Sequence, residues 1–133
     1  MLMPLGQYVL LAHRYGRELH WDLLLEAEQG LLTWQLEKDP GLLMASDTAT
    51  AVSARRLADH RKVYLSYQGP ISNGRGSVTR VDEGSYVLQA ETQEALRFLI
   101  QAKVLRGGFY LRKPSQSNCR GGEVDWVFGR ESE

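Results

Sequence analysis

The chain has 133 residues, 43% of them hydrophobic, and its 16 lysines and arginines balance 16 aspartates and glutamates. That length fits one domain whose core needs no disulfide or metal staple, and zero net charge excludes a strongly basic nucleic-acid coat while leaving room for a local patch. The single cysteine, Cys119, excludes an intrachain disulfide and reads as a spectator thiol in a loop, in keeping with a reducing cytoplasm. Met1–Gly6 lacks the charged start and apolar run of a secretion signal. No apolar run approaches the ~20 residues that cross a bilayer. The expectation is one domain over residues 1–133, cytoplasmic and without a membrane partner.

In chain order, Gln7–Ala12 reads as a buried strand, apolar on both faces, that ends at His13. Arg14–Glu18 is polar and contains Gly16, which predicts a loop. Leu19–Glu26 alternates: Trp21, Leu23 and Leu25 fall on one face, His20, Asp22, Leu24 and Glu26 on the other. Glu28-Gln29-Gly30 is a turn signal, and Leu31–Leu36 completes a hairpin with Leu32, Trp34 and Leu36 on one face. Asp39-Pro40-Gly41 breaks the chain, and a loop to Ala49 then gives way to a strand over Ala51–Leu57. Asp59–Tyr64 fits a short helical turn with His60 and Tyr64 on one side.

Gln68–Ser77 is glycine-rich but matches neither the P-loop nor the dinucleotide fingerprint. Val78–Val81, a turn at Asp82-Glu83-Gly84-Ser85 and Tyr86–Ala90 read as a second hairpin. Thr92–Glu94 reads as the cap of a short helix, and Leu96, Phe98 and Ile100 share one register. Arg106-Gly107-Gly108 reads as a turn, Phe109–Arg112 and Val124–Phe128 as strands, and Pro114–Gly122 as a polar loop between them. Many short strands with turn signals, and no strand–helix alternation, predict an all-β fold: a small antiparallel β-barrel with short helical turns.

The chemistry concentrates in His13–Glu26. His20 and Asp22 are two apart on one strand face, about 6.6 Å along the chain. A turn at Tyr15-Gly16 would bring His13 back to them, and two imidazoles with a carboxylate make a divalent-metal site with open positions. The competing reading is a solvated strand face. His60 and Tyr64 together can bind and protonate an oxyanion; the alternative is a turn histidine beside a packed tyrosine. Arg75, between two glycines, can reach a phosphate, and Arg14 and Arg17 flank the same region; all three also read as solvated surface charge.

These pieces resemble the 3′-phosphoesterase domain of bacterial ATP-dependent DNA ligase D and its standalone relatives. That family's motif is a histidine followed shortly by Leu-His-Tyr-Asp-Phe-Arg-Leu-Glu; here His13 precedes Leu19-His20-Trp21-Asp22-Leu23-Leu24-Leu25-Glu26. Its second motif, Glu-Asp-His-Pro with a tyrosine and then Phe-Glu-Gly, is similar to Ala58-Asp59-His60-Arg61, Tyr64 and Tyr67-Gln68-Gly69. A shorter glycine-rich loop and the closing hairpin over Leu96–Leu111 extend the likeness over most of the chain. Three positions depart: the family arginine is Leu24, the family glutamate is Ala58, and the gap from His13 to His20 is one residue longer.

The resemblance implies a small antiparallel β-barrel and manganese-dependent removal of a 3′-phosphate or 3′-ribonucleoside from a DNA primer end. His13, His20 and Asp22 would be metal ligands, for Mn²⁺ first, with Zn²⁺ equally suited to the donor types. His60 and Tyr64 would contact the phosphate, His60 as a candidate acid, with Arg75, then Arg14 or Arg17, replacing the missing arginine. The partners implied are DNA or RNA-containing 3′ ends and, as separate chains, a ligase or polymerase. The alternatives are an end-binding module with weak or no catalysis, and a metal-free barrel with structural histidines.

Overall fold

The computed structural model describes residues 5–45, 51–114 and 125–131. Among these, nine strands run in chain order: β1 (Leu5–Tyr15), β2 (Glu18–Glu26), β3 (Leu31–Leu36), β4 (Ala51–His60), β5 (Gly69–Pro70), β6 (Ser77–Glu91), β7 (Ala95–Ala102), β8 (Arg106–Arg112) and β9 (Asp125–Arg130). Neighbours in the sheet follow the order β1-β2-β3-β4-β9-β8-β7-β6, and β6 pairs back onto β1. The result is the expected closed antiparallel barrel, with β5 added along the first half of β6. The helical elements among the described residues are two short 3-10 turns, Pro40–Met44 and Lys62–Leu65. No described helix is long and apolar enough to cross a membrane.

Alternation fills the interior. Tyr8 and Leu10, Leu23 and Leu25, Trp34 and Leu36, Phe98 and Ile100, Phe109 and Leu111, and Phe128 all point inward and are buried. Phe109 and Phe128 stack at 5.3 Å, and Trp34 meets Trp126 edge-on at 5.6 Å. The expected β2 register holds: Leu23 and Leu25 are fully buried and Trp21 packs, partly buried, against the same core. An interior packed with side chains leaves function to the outside of the barrel. There Val9, Leu11, Leu24, Leu31 and Val78 form a second apolar layer, covered by Tyr64, Leu65, Tyr67 and Ile71.

Several sequence expectations change. The loop over Arg14–Glu18 is only the two-residue turn Gly16-Arg17, because β1 and β2 stay paired out to Tyr15 and Glu18. Gly16 takes φ +63°, which suits a tight hairpin. Polar residues there mark a solvated hairpin end, not the end of pairing. The second hairpin does not exist: Asp82–Ser85 lies within the continuous strand β6. Leu10 pairs Asp82 while Leu11 pairs Arg80, so β6 carries a bulge at Val81. Even-numbered residues therefore face outward up to Arg80 and inward from Asp82.

Asp82 is buried and captures four donors: the Tyr8 hydroxyl and the backbone N–H groups of Lys103, Val104 and Leu105. Gly84 serves close strand approach, since a Cβ there would lie 2.1 Å from the Gln101 carbonyl oxygen. The β7–β8 turn is consequently at Lys103–Leu105, and Arg106-Gly107-Gly108 begins β8. Thr92–Glu94 caps no helix; it is the β6–β7 turn, closed by Thr92 N–H donating to Ala95 O at 2.8 Å. The break at Asp39 starts the first 3-10 turn, with Asp39 Oδ1 accepting from Gly41 N–H at 2.9 Å. Cys119, its loop, Val124 and the end of the predicted loop before Ala51 lie outside the described residues.

Burial, and secondarily the adjoining Asp82 carboxylate, pushes the Tyr8 hydroxyl far above its ordinary pKa, so Tyr8 stays a donor across the working pH range. Asp82→Ala should cost at least about 3 kcal/mol in chemical denaturation, because it strands several donors in the core. Tyr8→Phe, which removes one donor, should cost about 1–2 kcal/mol. Leu23→Ala should cost about 2–5 kcal/mol. Trp21→Ala should also destabilise, since its ring packs against the same core, and a melting curve unchanged by that substitution would contradict the register.

Candidate active site

The outward row of β1 carries Leu11, His13 and Tyr15, and that of β2 carries His20, Asp22 and Leu24. Antiparallel register sets Leu11 opposite Asp22, His13 opposite His20 and Val9 opposite Leu24. Residues directly opposite one another share a face. On the other side of β2, Asp22 pairs with Gln35 of β3. The strand β4 then makes its contribution through an irregularity. Thr33 pairs Leu57, but Leu31 pairs His60, so β4 has one extra residue. That residue shifts the alternation and turns both Leu57 and His60 to the outer face, where both line the cleft.

The 3-10 turn Lys62–Leu65 follows at once and brings Tyr64 within 5.6 Å of the His60 ring, centroid to centroid. The two therefore meet as expected, with His60 at the end of a strand and only Tyr64 on the helical turn. The loop leading to β6 supplies Ile71 and Arg75. Together these elements bound a cleft of about 480 Å³ lined by His13, His20, Asp22, His60, Tyr64 and Arg75, among others.

Six of the eight site residues suggested by the sequence thus share one cleft. Arg14 and Arg17 are exposed at the hairpin end and lie outside its lining. Leu24 does share the face of Asp22, but it is fully buried in the second apolar layer and does not open onto the cleft. The sequence reading overlooked Arg61, Gln35 and Tyr15, which also line it. Gln35 was accessible from the hairpin register, which pairs it with Asp22, and Arg61 from its place beside His60. Glu26, part of the family-like motif, sits apart: it accepts from Gln7 N–H at 3.0 Å and lies 3.9 Å from Lys62 Nζ.

Asp22 is only 4% exposed. Burial raises its carboxyl pKa, and the positive potential of His13, His60 and His20 offsets part of that rise. His13 Nδ1 faces Asp22 Oδ2 at 3.8 Å, while His13 Nε2 donates to the Arg75 carbonyl at 2.8 Å. The His13 and His20 rings are 6.5 Å apart, and His20 Nε2 leans 3.6 Å from Glu18 Oε1. His60 Nδ1 donates to the Ala58 carbonyl at 3.2 Å. Arg75 folds its guanidinium back on its own loop, Nε donating to Ser72 O at 3.0 Å.

Imidazole nitrogens and a desolvated carboxylate are donors of the type that hold Mn²⁺ or Zn²⁺. Among the described residues no group of three such side chains is preassembled around one point. His13 and Asp22 converge, and His20 stands across from His13 with its ring toward Glu18.

Residues 12–113 match the family described as the DNA Ligase D 3′-phosphoesterase domain. The chain is also 28% identical, over 128 residues, to the multifunctional non-homologous end joining protein LigD of Pseudomonas aeruginosa. That alignment covers 90% of this chain and 14% of the relative, so the chain spans a small part of the larger protein's length. The family match takes in every cleft residue named above except Leu11. By that match, the chain belongs to the DNA ligase D 3′-phosphoesterase domain family.

Proposed function

We propose that this chain processes DNA 3′ ends in repair, as a metal-dependent phosphoesterase that removes a 3′-phosphate or a 3′-ribonucleoside. The observation that carries the reading is the convergence of His13, His20, Asp22, His60, Tyr64 and Arg75 on one outer cleft inside the family match. His13, Asp22 and His20 would hold the divalent ion, Mn²⁺ or Zn²⁺. Such an ion supplies positive charge for the phosphate oxygens and lowers the pKa of water.

The chain's own groups account for the remaining requirements. His60 is anchored through Nδ1–H, which leaves Nε2 as the atom that can hold a proton for the leaving oxygen. Tyr64 limits the ring's movement and brings its hydroxyl-bearing ring to the same wall. Arg75 and Arg61 are the cationic side chains of the lining and suit a phosphate. Leu24 offers no such contact, so phosphate recognition here falls to the loop arginines. The proposed setting is the cytoplasm, with DNA or RNA-containing 3′ ends as substrate and a ligase or polymerase as a separate partner chain.

A labelled primer ending in a 3′-phosphate or a 3′-ribonucleotide, incubated with Mn²⁺, tests the proposal. The parent should release phosphate or ribonucleoside, His20→Ala should lose most of that activity, and Arg75→Ala should slow it about ten- to a hundredfold, the range for one or two lost charge-assisted contacts. Binding of the end without release would instead identify a non-catalytic module. Titration of chelated protein should give one tight site that His20→Ala weakens, and equal affinity in parent and variant would refute the ligand assignment.

Asp22 gives a pH-dependent prediction for the metal-free protein. Its folded pKa is raised, so its favourable contribution is present below the ordinary aspartate value and is lost as pH rises through the folded value. Asp22→Asn should therefore raise the melting temperature at neutral pH, with the gain shrinking below about pH 4. Adding Mn²⁺ should stabilise the parent and leave the variant unchanged. A variant less stable than the metal-free parent at neutral pH would mean that attraction to the histidines outweighs the cost of burial.

A further inference from the structure

The glycine-rich loop has no part in the reading above beyond the Arg75 side chain, and it matches no phosphate-binding pattern. Its backbone has another use. We propose that the loop is a clamp that sets the tautomer of His13: the Arg75 carbonyl holds the ring proton on Nε2 and leaves the Nδ1 lone pair facing the Asp22 carboxylate. The consequence for metal binding rests on the ligand assignment made under Proposed function; the tautomer itself does not.

A carbonyl oxygen only accepts, so the 2.8 Å contact requires a proton on His13 Nε2. In the neutral ring, Nδ1 then carries the lone pair. Nδ1 and Asp22 Oδ2 are 3.8 Å apart, too far for a hydrogen bond between them. The two atoms form an open pair of donors to a cation. Without the carbonyl, the desolvated Asp22 would favour the other tautomer, Nδ1–H directed at its own oxygen. That arrangement consumes the lone pair a metal would need. Metal-binding histidines commonly donate their second ring N–H to a backbone carbonyl or carboxylate, which fixes the ring in this way.

The loop is built to hold that carbonyl in place. Asn73 and Gly74 both have positive φ, at 65° and 66°, and reverse the chain tightly. Ile71 N–H donates to Gly76 O at 2.7 Å and closes the loop on itself. Gly76, at φ +89°, lies flush against β1: a Cβ there would stand 2.1 Å from the Arg14 carbonyl oxygen. Only glycine permits that approach, one residue from the carbonyl that His13 uses. The glycine spacing thus answers to contact with the neighbouring strand.

Side-chain ¹⁵N NMR of the metal-free protein, at a pH where His13 is neutral, reads the tautomer directly. The parent should show His13 protonated on Nε2, and Gly76→Ala, which must lift the loop off β1, should show mixed or Nδ1–H populations. Calorimetric titration with Zn²⁺ should show Gly76→Ala binding about ten- to a hundredfold more weakly, the usual effect of losing such an orienting partner. An Nδ1–H tautomer in the parent overturns the clamp, even if Gly76→Ala fails to fold. So does a folded Gly76→Ala protein with parental tautomer and affinity. A parent that binds no Zn²⁺ or Mn²⁺ but shows Nε2–H refutes the ligand assignment and leaves the clamp standing.

Discussion

Asp82 joins the two ends of the barrel wall and, in doing so, sets the geometry of the distant cleft. Its carboxylate holds Tyr8 of β1 and three successive amides of the β7–β8 turn, which fixes β6 between its neighbours. The bulge at Val81 stands beside it and reverses the alternation of β6. Val78 and Arg80 consequently face outward. Val78 joins the second apolar layer, and Arg80 holds the cover through Gln68 Oε1, which accepts from its N–H at 2.8 Å, and through the Leu65 carbonyl. The segment so held continues into the loop whose Arg75 carbonyl meets His13.

The division of labour between the faces follows from volume. Aromatic and branched side chains fill the inside, so the outer face must both seal itself and hold the polar cleft. Sealing is done by Val9, Leu11, Leu24, Leu31 and Val78 beneath Tyr64, Leu65, Tyr67 and Ile71. Leu11 belongs to this layer and also lines the cleft, so the apolar layer extends directly under Asp22, its cross-strand partner. The same apolar floor that orders the cleft desolvates the carboxylate and raises its pKa. An ionised carboxylate there is disfavoured by burial, and the nearby histidines offset only part of that cost.

Alternation made β2 and β3 legible, because both strands keep a regular period of two and are joined by an ordinary turn. The same signal misled in β6. The bulge breaks the period, and Asp82 and Gly84, common in turns, serve as an amide acceptor and a point of close strand approach. Arg106-Gly107-Gly108 misled for a related reason, since the actual turn is made by Lys103–Leu105 wrapping around Asp82. In the cleft, side chains with evident chemistry could be named from sequence: His13, His20, Asp22, His60, Tyr64 and Arg75. Their convergence depended on a β4 irregularity with no composition signal, and the Arg75 carbonyl, a backbone group, has no residue signature at all.

The interval of seven residues between His13 and His20 is set by the geometry of the hairpin that carries them. In a hairpin, residues directly opposite each other project to the same side whatever lies beyond them. The condition is that the turn place the two histidines in direct register. Here Gly16-Arg17 makes a two-residue turn with Tyr15 opposite Glu18, and two further steps along each strand bring His13 opposite His20. The interval of seven therefore satisfies the facing requirement, and Asp22 follows on the same row as His20. Leu24 is next in that row, but Val9 stands opposite it, deeper under the cover, so the leucine belongs to the seal. Along this one face, the boundary between polar cleft and apolar layer falls between Asp22 and Leu24. An arginine at position 24 would have to share space now held by the seal. Leu24 thus forms part of the apolar floor, whereas the interval of seven between the histidines is accommodated by the turn.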